Sequence, residues 1–286
     1  MQDTNELINE TLKNRLEQIE QNFNADFISL SGPIIDGYEQ VLLHVVEQLE
    51  HKNKILYFML TTAGGSATAV ERFVNILRYN YETINFIIPD YAYSAGTIFC
   101  MSGDDIYMDY YSVLGPIDPQ VRNKEGKYVP ALGYLDKVNE MIEKAKHGTL
   151  TDAEFIILKE MDLGELRSFE QAKELTIDLL KKWLVQYKFK NWNKHETNKK
   201  LKGKNVTEDE KKKRAEEIAD KLSDNKLWKS HGRPINIEEL NKLKLKIHDY
   251  SNEPYRKLIR DYYELLSNFL MKERREIFIH TRKGYI

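Results

Sequence analysis

The sequence is poor in the residues that cross-link a protein chain. Cys100 is the only cysteine among 286 residues, so no disulfide framework can form and a reducing, cytoplasmic setting is expected. The seven histidines include no pair at the spacing of a zinc site. We therefore predict that the chain carries no metal and no cofactor.

Long apolar runs and an excess of one charge are also missing. No apolar run approaches the roughly 20 residues needed to cross a bilayer, and the first residues are polar and acidic, unlike a signal peptide. The formal net charge is -2, which gives no reason to expect nucleic acid or an anionic membrane as a partner. The sequence predicts a soluble protein with no transmembrane segment.

Phosphate-binding motifs, internal repeats and Gly/Ser linkers are absent as well. Without Gly-x-Gly-x-x-Gly or Gly-x-x-x-x-Gly-Lys, phosphate binding is a weak interpretation. Without linkers, we expect one α/β core with helical additions. The expected parts are an amphipathic helix at 1–25, the α/β core at 26–150, a charged helical insert at 151–226, and a return to the core with a final helix at 227–286.

The central stretch alternates between two hydrophobic periods. Apolar runs of strand length occur at Ile55–Leu60, Ile84–Pro89 and Ile106–Met108, and helix-period segments at Thr68–Leu77 and Thr97–Met101 lie between them. This order predicts consecutive right-handed crossover connections between parallel strands. In such a sheet, the turns at the carboxyl ends of the strands share the edge where ligands bind.

Two of these turns carry residues suited to acyl transfer. Gly64 and Gly65 follow the first strand, and Ser94 precedes a short helix that begins near Ala95. A backbone N–H from Gly65 and one from Ala95 could stabilise a developing oxyanion beside the Ser94 hydroxyl. The alternatives are that the glycines only form a tight turn and that Ser94 only caps the helix.

The rest of the chain reads mainly as helix. Helices are predicted at 3–23, Tyr38–Glu50, Leu132–Lys146, Leu150–Leu163, Ser168–Tyr187 and Pro254–Arg274, short strands at Phe27–Leu30 and Ile247–Tyr250, and a loop or hairpin at Arg122–Pro130. Arg275–Ile286 is predicted to trail off without regular structure.

Residues 188–225 are so rich in charge that we expect little core there. Acidic residues are interleaved with the lysines, which favours a solvated helical hairpin over a nucleic-acid surface. Thr151 and Thr207 each precede a glutamate by three residues, the spacing of a capping box, and Asn236 can cap a later helix.

Most of the histidines have no expected role in chemistry. His44 lies beside the apolar stripe of a helix and is predicted to be a partly buried structural residue. His147, His195, His248 and His280 lie in polar, helical or terminal segments and are predicted to face solvent.

Three motifs in order give the chain a family resemblance. Thr61-Thr62-Ala63-Gly64-Gly65, then Tyr93-Ser94-Ala95-Gly96-Thr97, then the run from Leu114 to Gln120 resemble the Clp protease/crotonase superfamily. The similarity is greatest to the serine dehydrogenase proteinase branch, related to bacterial signal peptide peptidases, and the run from Ser230 to Ile235 also resembles that branch. The resemblance covers about residues 25–250.

The resemblance implies a repeated β-β-α core, assembly into homo-oligomers, and ATP-independent serine peptidase chemistry on peptide or protein substrates. By position, Ser94 matches the nucleophile. Gly64, Gly65 and Ala95 match the residues that form the oxyanion hole.

The chain departs from this family at the general base. Where Clp proteases place a histidine after the serine, this sequence reads Ile117-Asp118. Signal peptide peptidases instead use a lysine, and Lys127 and Lys137 lie at plausible distances, although a surface position is the ordinary expectation for each. His231, oriented by Asp118, is the other candidate, unless it only caps its turn.

These residues favour a serine peptidase, with two alternatives. One is a non-catalytic oligomeric scaffold that kept the serine turn but lost the base. The other is a crotonase-like acyl-CoA enzyme, for which nothing in the sequence marks an adenine or pantetheine site.

Overall fold

The computed structural model describes residues 4–50, 52–122, 126 and 128–286. The strands are β1 (Asp26–Ser31), β2 (Ile55–Thr61), β3 (Thr83–Ile88), β4 (Tyr91–Ala92), β5 (Asp105–Met108), β6 (Val113–Leu114), β7 (Gln120–Arg122), β8 (Tyr128–Pro130), β9 (His248–Asp249), β10 (Phe278–Thr281) and β11 (Gly284–Tyr285). The helices are α1 (Thr4–Phe23), α2 (Tyr38–Glu47), α3 (Ala67–Asn80), α4 (Ala95–Met101), α5 (Ala131–Lys146), α6 (Asp152–Lys159), α7 (Leu163–Trp183), α8 (Glu208–Leu222), α9 (Asn225–Trp228), α10 (Ile237–Lys242) and α11 (Arg256–Glu273). A π-helical turn, Leu184–Lys188, continues α7.

The main sheet has the strand order β11-β10-β1-β2-β3-β5-β9. Strands β1, β2, β3, β5 and β9 run parallel, which confirms the predicted crossovers and the predicted edge strand after residue 246. Because parallel strands need crossover helices, both faces of such a sheet are covered and its strands become nearly continuous apolar runs. The long apolar run of β2 has this cause.

Alternate side chains of β2 pack in two separate hydrophobic cores. Leu56 and Phe58 pack on the face covered by α2, α3, α4, α7 and α8, whereas Tyr57 and Met59 pack on the face covered by α1 and α11. The predicted α/β fold class is therefore confirmed.

A small parallel sheet of β4 and β6 sits beyond the carboxyl end of β3. It is joined to the end of β2 by a bridge between Thr62 and Ala92, and to a late segment by a bridge between Leu114 and Ile235. Two core turns and the return segment near residue 235 thus meet at one edge of the main sheet.

The helical predictions are largely confirmed. The capping boxes of Thr151 with Glu154 and of Thr207 with Glu210 both form, and the Asn236 side chain caps α10. Strands β7 and β8 pair antiparallel, as predicted for a hairpin. In the described part of the chain, no helix is long and apolar enough to span a membrane.

The prediction that Arg275–Ile286 trails off is wrong. Phe278–Thr281 forms β10, which pairs antiparallel with β1, and all four of its residues are buried. The partner strand lies almost a whole chain length away in sequence. A pattern within the last twelve residues could not reveal it.

The prediction of little core in residues 188–225 is also wrong. Helix α8 buries Ala215, Ile218, Ala219 and Leu222 in the main core. These residues recur at steps of three and four, so a narrow apolar stripe is hidden among many charges. The charged residues occupy the solvent side of a helix that is part of the core.

The structure also contradicts the predicted exposure or burial of three histidines. His44 is exposed and its ring lies 2.8 Å from the amide of Gln48, so the partial burial predicted for it is wrong. His195, predicted to face solvent, is buried with its Nε2 3.2 Å from a carboxylate oxygen of Glu210. His280, also predicted to face solvent, is only 1% exposed.

The two remaining histidines of that group differ from each other. His147 is exposed, as predicted. His248 is half-buried at the sheet edge, where its Nε2 lies 3.0 Å from Oδ1 of Asp105.

The burial of His280 predicts a loss of stability in acid. Its Nδ1 lies 2.9 Å from the hydroxyl of Tyr262, and burial lowers the pKa of His280 from 6.5 to about 4. Between these values the unfolded chain binds a proton that the folded protein does not, so the free energy of unfolding falls as the pH falls from about 6.5 to 4. We expect a loss of about 3 kcal/mol, measured by urea unfolding.

His280→Gln, which cannot titrate in this range, is the matched variant. It should lack this part of the acid loss even if its stability at neutral pH is lower. An equal decline of both proteins with pH would contradict the assignment.

Candidate active site

Ser94 lies in a strained turn between β4 and α4. Its backbone has φ 52° and ψ −117°, a conformation that residues other than glycine rarely adopt. The residue is 9% exposed, and its hydroxyl makes no capping bond to the helix that follows. The alternative that Ser94 serves as a side-chain N-cap is therefore not supported.

Thr97 fixes this turn against the segment after β6. Its hydroxyl oxygen lies 2.9 Å from the carbonyl oxygen of Ala92 and 2.8 Å from that of Gly115, and accepts a 3.0 Å hydrogen bond from the Gly115 N–H. Thr97 is fully buried, so these bonds are shielded from water. The Thr97 hydroxyl therefore joins the start of α4 to both neighbouring chain segments.

The glycine turn is held by the segment after β1. The Ile34 N–H donates to the Gly64 carbonyl at 2.8 Å, and the Ser66 N–H donates to the Ile34 carbonyl at 2.8 Å. In a parallel bridge of this kind, the N–H of the residue between the two bonds points away from the partner segment. The Gly65 N–H therefore points away from Ile34.

The two turns touch through their backbones. A Cβ on Gly64 would lie 2.8 Å from the Ser94 Cβ and 3.3 Å from the Ala95 nitrogen, and Gly64 has φ +104°. Only glycine permits both the conformation and the approach. The prediction that the glycine turn and the serine turn meet at one edge is confirmed.

The two predicted oxyanion donors lie on these two turns. Neither the Gly65 N–H nor the Ala95 N–H donates a hydrogen bond to any residue that the structure describes. Unsatisfied N–H groups at a helix start and a glycine turn are suited to binding a negatively charged oxygen. Their role with Ser94 stays a prediction.

Lys137, the lysine candidate that the structure describes, forms no hydrogen bond with Ser94. The hydroxyl of Ser94 forms no hydrogen bond with any residue in the described ranges. Lys137 lies on α5 with an exposed side chain, 3.1 Å from a carboxylate oxygen of Glu140. Lys127 lies outside the described residues.

Asp118 and His231 are brought together by the bridge between Leu114 and Ile235. The two segments run antiparallel from that bridge, which places the imidazole of His231 beside the backbone of Asp118. The carboxylate instead accepts a 3.2 Å bond from the N–H of Leu132. The predicted orientation of His231 by the Asp118 carboxylate is not seen among the described contacts.

Both side chains retain unused polar atoms. Oδ2 of Asp118 and Nδ1 of His231 are buried without a hydrogen-bond partner in the described structure. Burial raises the pKa of Asp118 to about 6 and lowers the pKa of His231 below its usual value. Perturbed titratable groups of this kind mark functional sites more often than ordinary surface positions.

A separate cavity lies at the opposite end of the sheet, where β5 begins. Its volume is about 1090 Å³, and its walls include Asp105, Lys188, Trp192 and Lys246. Burial lowers the pKa of Lys188 to about 8, although Asp105 opposes this effect. Sequence reasoning missed this cluster, because its members come from three distant segments.

Residues 33–209 match the family described as ClpP-like SDH-type serine proteinase. An uncharacterized protein of Methanocaldococcus jannaschii is 29% identical over 232 residues, which cover 81% of this chain and 62% of that protein. A second uncharacterized protein of this organism is 28% identical over 166 residues, 54% of each chain. The chain thus spans less than two thirds of the length of these relatives.

Two solved structures of the 1510-N membrane-bound stomatin-specific protease are also similar. A lysine-to-alanine mutant in complex with a substrate peptide has 14% identity and a TM-score of 0.45, over 79% of this chain and 74% of that chain. A serine-to-alanine mutant has 12% identity and a TM-score of 0.45, over 79% of this chain and 78% of that chain.

Replacing Gly65 should disrupt the turn more than its backbone conformation alone would explain. A Cβ at this position would lie 1.9 Å from the carbonyl oxygen of Ile34, and φ is +143°. We expect Gly65→Ala to lower the free energy of unfolding by about 3–5 kcal/mol. Gly148, with φ +66° and nothing within 4 Å of an added Cβ, is the matched control.

Gly148→Ala should cost about 1–2 kcal/mol, the conformational penalty alone. Urea or thermal unfolding measures both variants. Equal losses in the two proteins would mean that Ile34 does not hold the glycine turn as described.

The raised pKa of Asp118 predicts that its charge destabilises the fold. Above about pH 6 the folded protein must hold a buried carboxylate, whereas the unfolded chain ionises near 3.8 without this cost. We expect Asp118→Asn to raise the free energy of unfolding at neutral pH by about 1–2 kcal/mol. Unfolding of both proteins should be compared at each pH.

The gain should shrink towards about pH 4, where the wild-type carboxyl is protonated in the folded state. The amide oxygen of asparagine can still accept the bond from Leu132. A variant less stable than wild type at every pH would show that the charged form is favoured instead.

Proposed function

The chain belongs to the ClpP-like SDH-type serine proteinases, and from this membership we propose that it cleaves peptide bonds through an acyl-enzyme at Ser94. The membership also confirms the predicted Clp/crotonase-like fold. The observation that supports this best is the contact between the strained Ser94 turn and Gly64. A strained serine at a strand-to-helix turn, beside free N–H groups, is the arrangement that acyl transfer requires.

The proposed reaction uses groups from both turns. The Ser94 hydroxyl oxygen attacks the peptide carbonyl carbon while its proton passes to a base, and the N–H groups of Gly65 and Ala95 bind the oxygen as it becomes negative. The leaving amine takes the proton from the base as the peptide C–N bond breaks. Water then hydrolyses the ester and restores the hydroxyl.

We propose His231 as the base, in the same chain or from a neighbouring copy. Burial lowers the pKa of His231, so its imidazole is neutral near pH 7 and can accept a proton. Asp118 lies beside it with an unpartnered carboxylate oxygen. Lys137 is the alternative, but it would first have to leave Glu140 and lose its hydration.

One observation favours a second function. The Ser94 hydroxyl forms no hydrogen bond with a base among the described residues, as expected for a non-catalytic scaffold of the same fold. Catalytic hydrogen bonds are often long or absent without substrate, so this observation does not outweigh the geometry of the two turns.

The substrate class, cofactor need, location and assembly that we propose are based on the family membership and on the sequence. The substrate class is peptide or protein, and no cofactor takes part. We further propose a cytoplasmic homo-oligomer, based on the lone buried cysteine and the family resemblance.

A fluorophosphonate probe tests the nucleophile directly. Such probes phosphonylate activated serines with loss of fluoride, so wild-type protein should be labelled and Ser94→Ala should not. Labelling is read as a mass increase by intact-protein mass spectrometry, with the modified residue located by peptide mapping. Ser168→Ala, at an exposed serine on α7, is the control and should be labelled like wild type.

Three results separate the two functions. Labelling at residue 94 together with peptide hydrolysis supports the peptidase, and an unlabelled but folded wild-type protein supports the scaffold. Equal labelling of wild type and Ser94→Ala would reject Ser94 as the nucleophile.

A further inference from the structure

Helix α6 exposes an unusual amount of apolar surface for its length. None of its residues is buried, and Phe155, Ile156 and Ile157 are 59%, 56% and 52% exposed, with Leu163 just beyond it 80% exposed. Side chains of this size together form a patch of a few hundred Å², which on a soluble protein marks a contact surface. Nothing in the described structure covers it.

The helix is nevertheless held in a defined orientation. The Thr151 capping box closes its first turn, and Lys144 of α5 donates a 2.7 Å hydrogen bond to Glu154. Glu154 and Leu158 are the better-buried residues, so this side faces the protein. The opposite side is presented outward.

The outward stripe has a symmetric charge pattern. It comprises Asp152, Phe155, Ile156 and Lys159, whose steps of three and four residues put them on one face. An acidic residue ends the stripe on one side, a basic residue ends it on the other, and two apolar residues lie between. Neither Asp152 nor Lys159 forms an ion pair with any residue that the structure describes.

We propose that this stripe is a two-fold contact between two copies of this chain, with the two α6 helices antiparallel. The register that places Asp152 opposite Lys159 of the second copy also places Phe155 opposite its Ile156, because both pairs are centred between residues 155 and 156. One ion pair and one apolar contact then form on each side of the axis, which makes two of each in the dimer. A two-fold contact requires such self-complementarity.

The charge pattern selects this occupant over others. A membrane surface would favour lysine or arginine around the apolar residues, and an unrelated partner would need no relation between Asp152 and Lys159. Asp152 and Lys159 carry opposite charges and lie at equal distances from the midpoint between Phe155 and Ile156. The stripe is therefore complementary to an identical stripe rotated by 180° about that midpoint. The proposal specifies the surface of the proposed homo-oligomer and is independent of the chemistry at Ser94.

Charge reversal in the full-length protein tests the register. Asp152→Lys and Lys159→Asp each place like charges opposite one another twice per dimer, so each should weaken self-association by about tenfold or more. The double variant with both changes restores opposite charges and should recover the wild-type affinity. Sedimentation velocity over a range of concentrations measures the dissociation constant.

Mixing the two single variants is the sharper test. Asp152→Lys and Lys159→Asp are complementary to each other, so together they should form a heterodimer more tightly than either forms a homodimer. Asp220→Lys, on the exposed side of α8, is the matched charge control and should associate like wild type.

The apolar part of the contact has its own variants. Ile156→Asp should weaken association by more than tenfold, whereas Met271→Asp, at a residue 77% exposed on α11, should not. Circular dichroism and thermal unfolding should show all of these proteins folded, since each changed side chain points outward.

The remaining results would overturn the proposal. These are a wild-type protein that stays monomeric at every concentration, an association unaffected by charge reversal, or single variants that do not pair when mixed. Binding to vesicles of phosphatidylcholine and phosphatidylglycerol that Ile156→Asp abolishes, with association unchanged, would assign the stripe to a membrane instead. Fluorophosphonate labelling of Ser94 reports the peptidase proposal separately in each case.

Discussion

The candidate site depends on the direct approach of two backbone turns, which the missing side chain of Gly64 permits. Any Cβ there would overlap the Cβ of Ser94 and the carbonyl of Tyr93. The N–H of Ala95 lies beside this contact, and the N–H of Gly65 is turned away from Ile34. The two turns therefore meet mainly through main-chain atoms.

The strain at Ser94 is maintained by the structure on either side of it. Helix α4 is buried along its whole length, and Thr97 joins its first turn to Ala92 and Gly115. A backbone conformation that costs on the order of 1–3 kcal/mol persists only when its surroundings leave no alternative. The main core supplies this constraint, because Ile98, Phe99 and Cys100 are anchored in it.

Burial acts on the titratable groups in opposite senses according to their charge. It raises the pKa of Asp118 and lowers that of His231 beside it, because burial disfavours the charged form of each group. It also lowers the pKa of His280, which lies against Tyr262 of the other core. A perturbed pKa alone thus does not distinguish a functional residue from a buried core residue, whereas the position of the residue on the sheet does.

The sequence by itself determined the parallel core, the two turns and the family, because these depend on local periods and on short runs such as Tyr93-Ser94-Ala95-Gly96-Thr97. Only the tertiary structure decided the place of β10 beside β1, the burial of α8 and the meeting of His231 with the backbone of Asp118. Each of these joins segments far apart in the chain. A local pattern records how a segment alternates between apolar and polar residues, but it carries no information about which distant segment covers it.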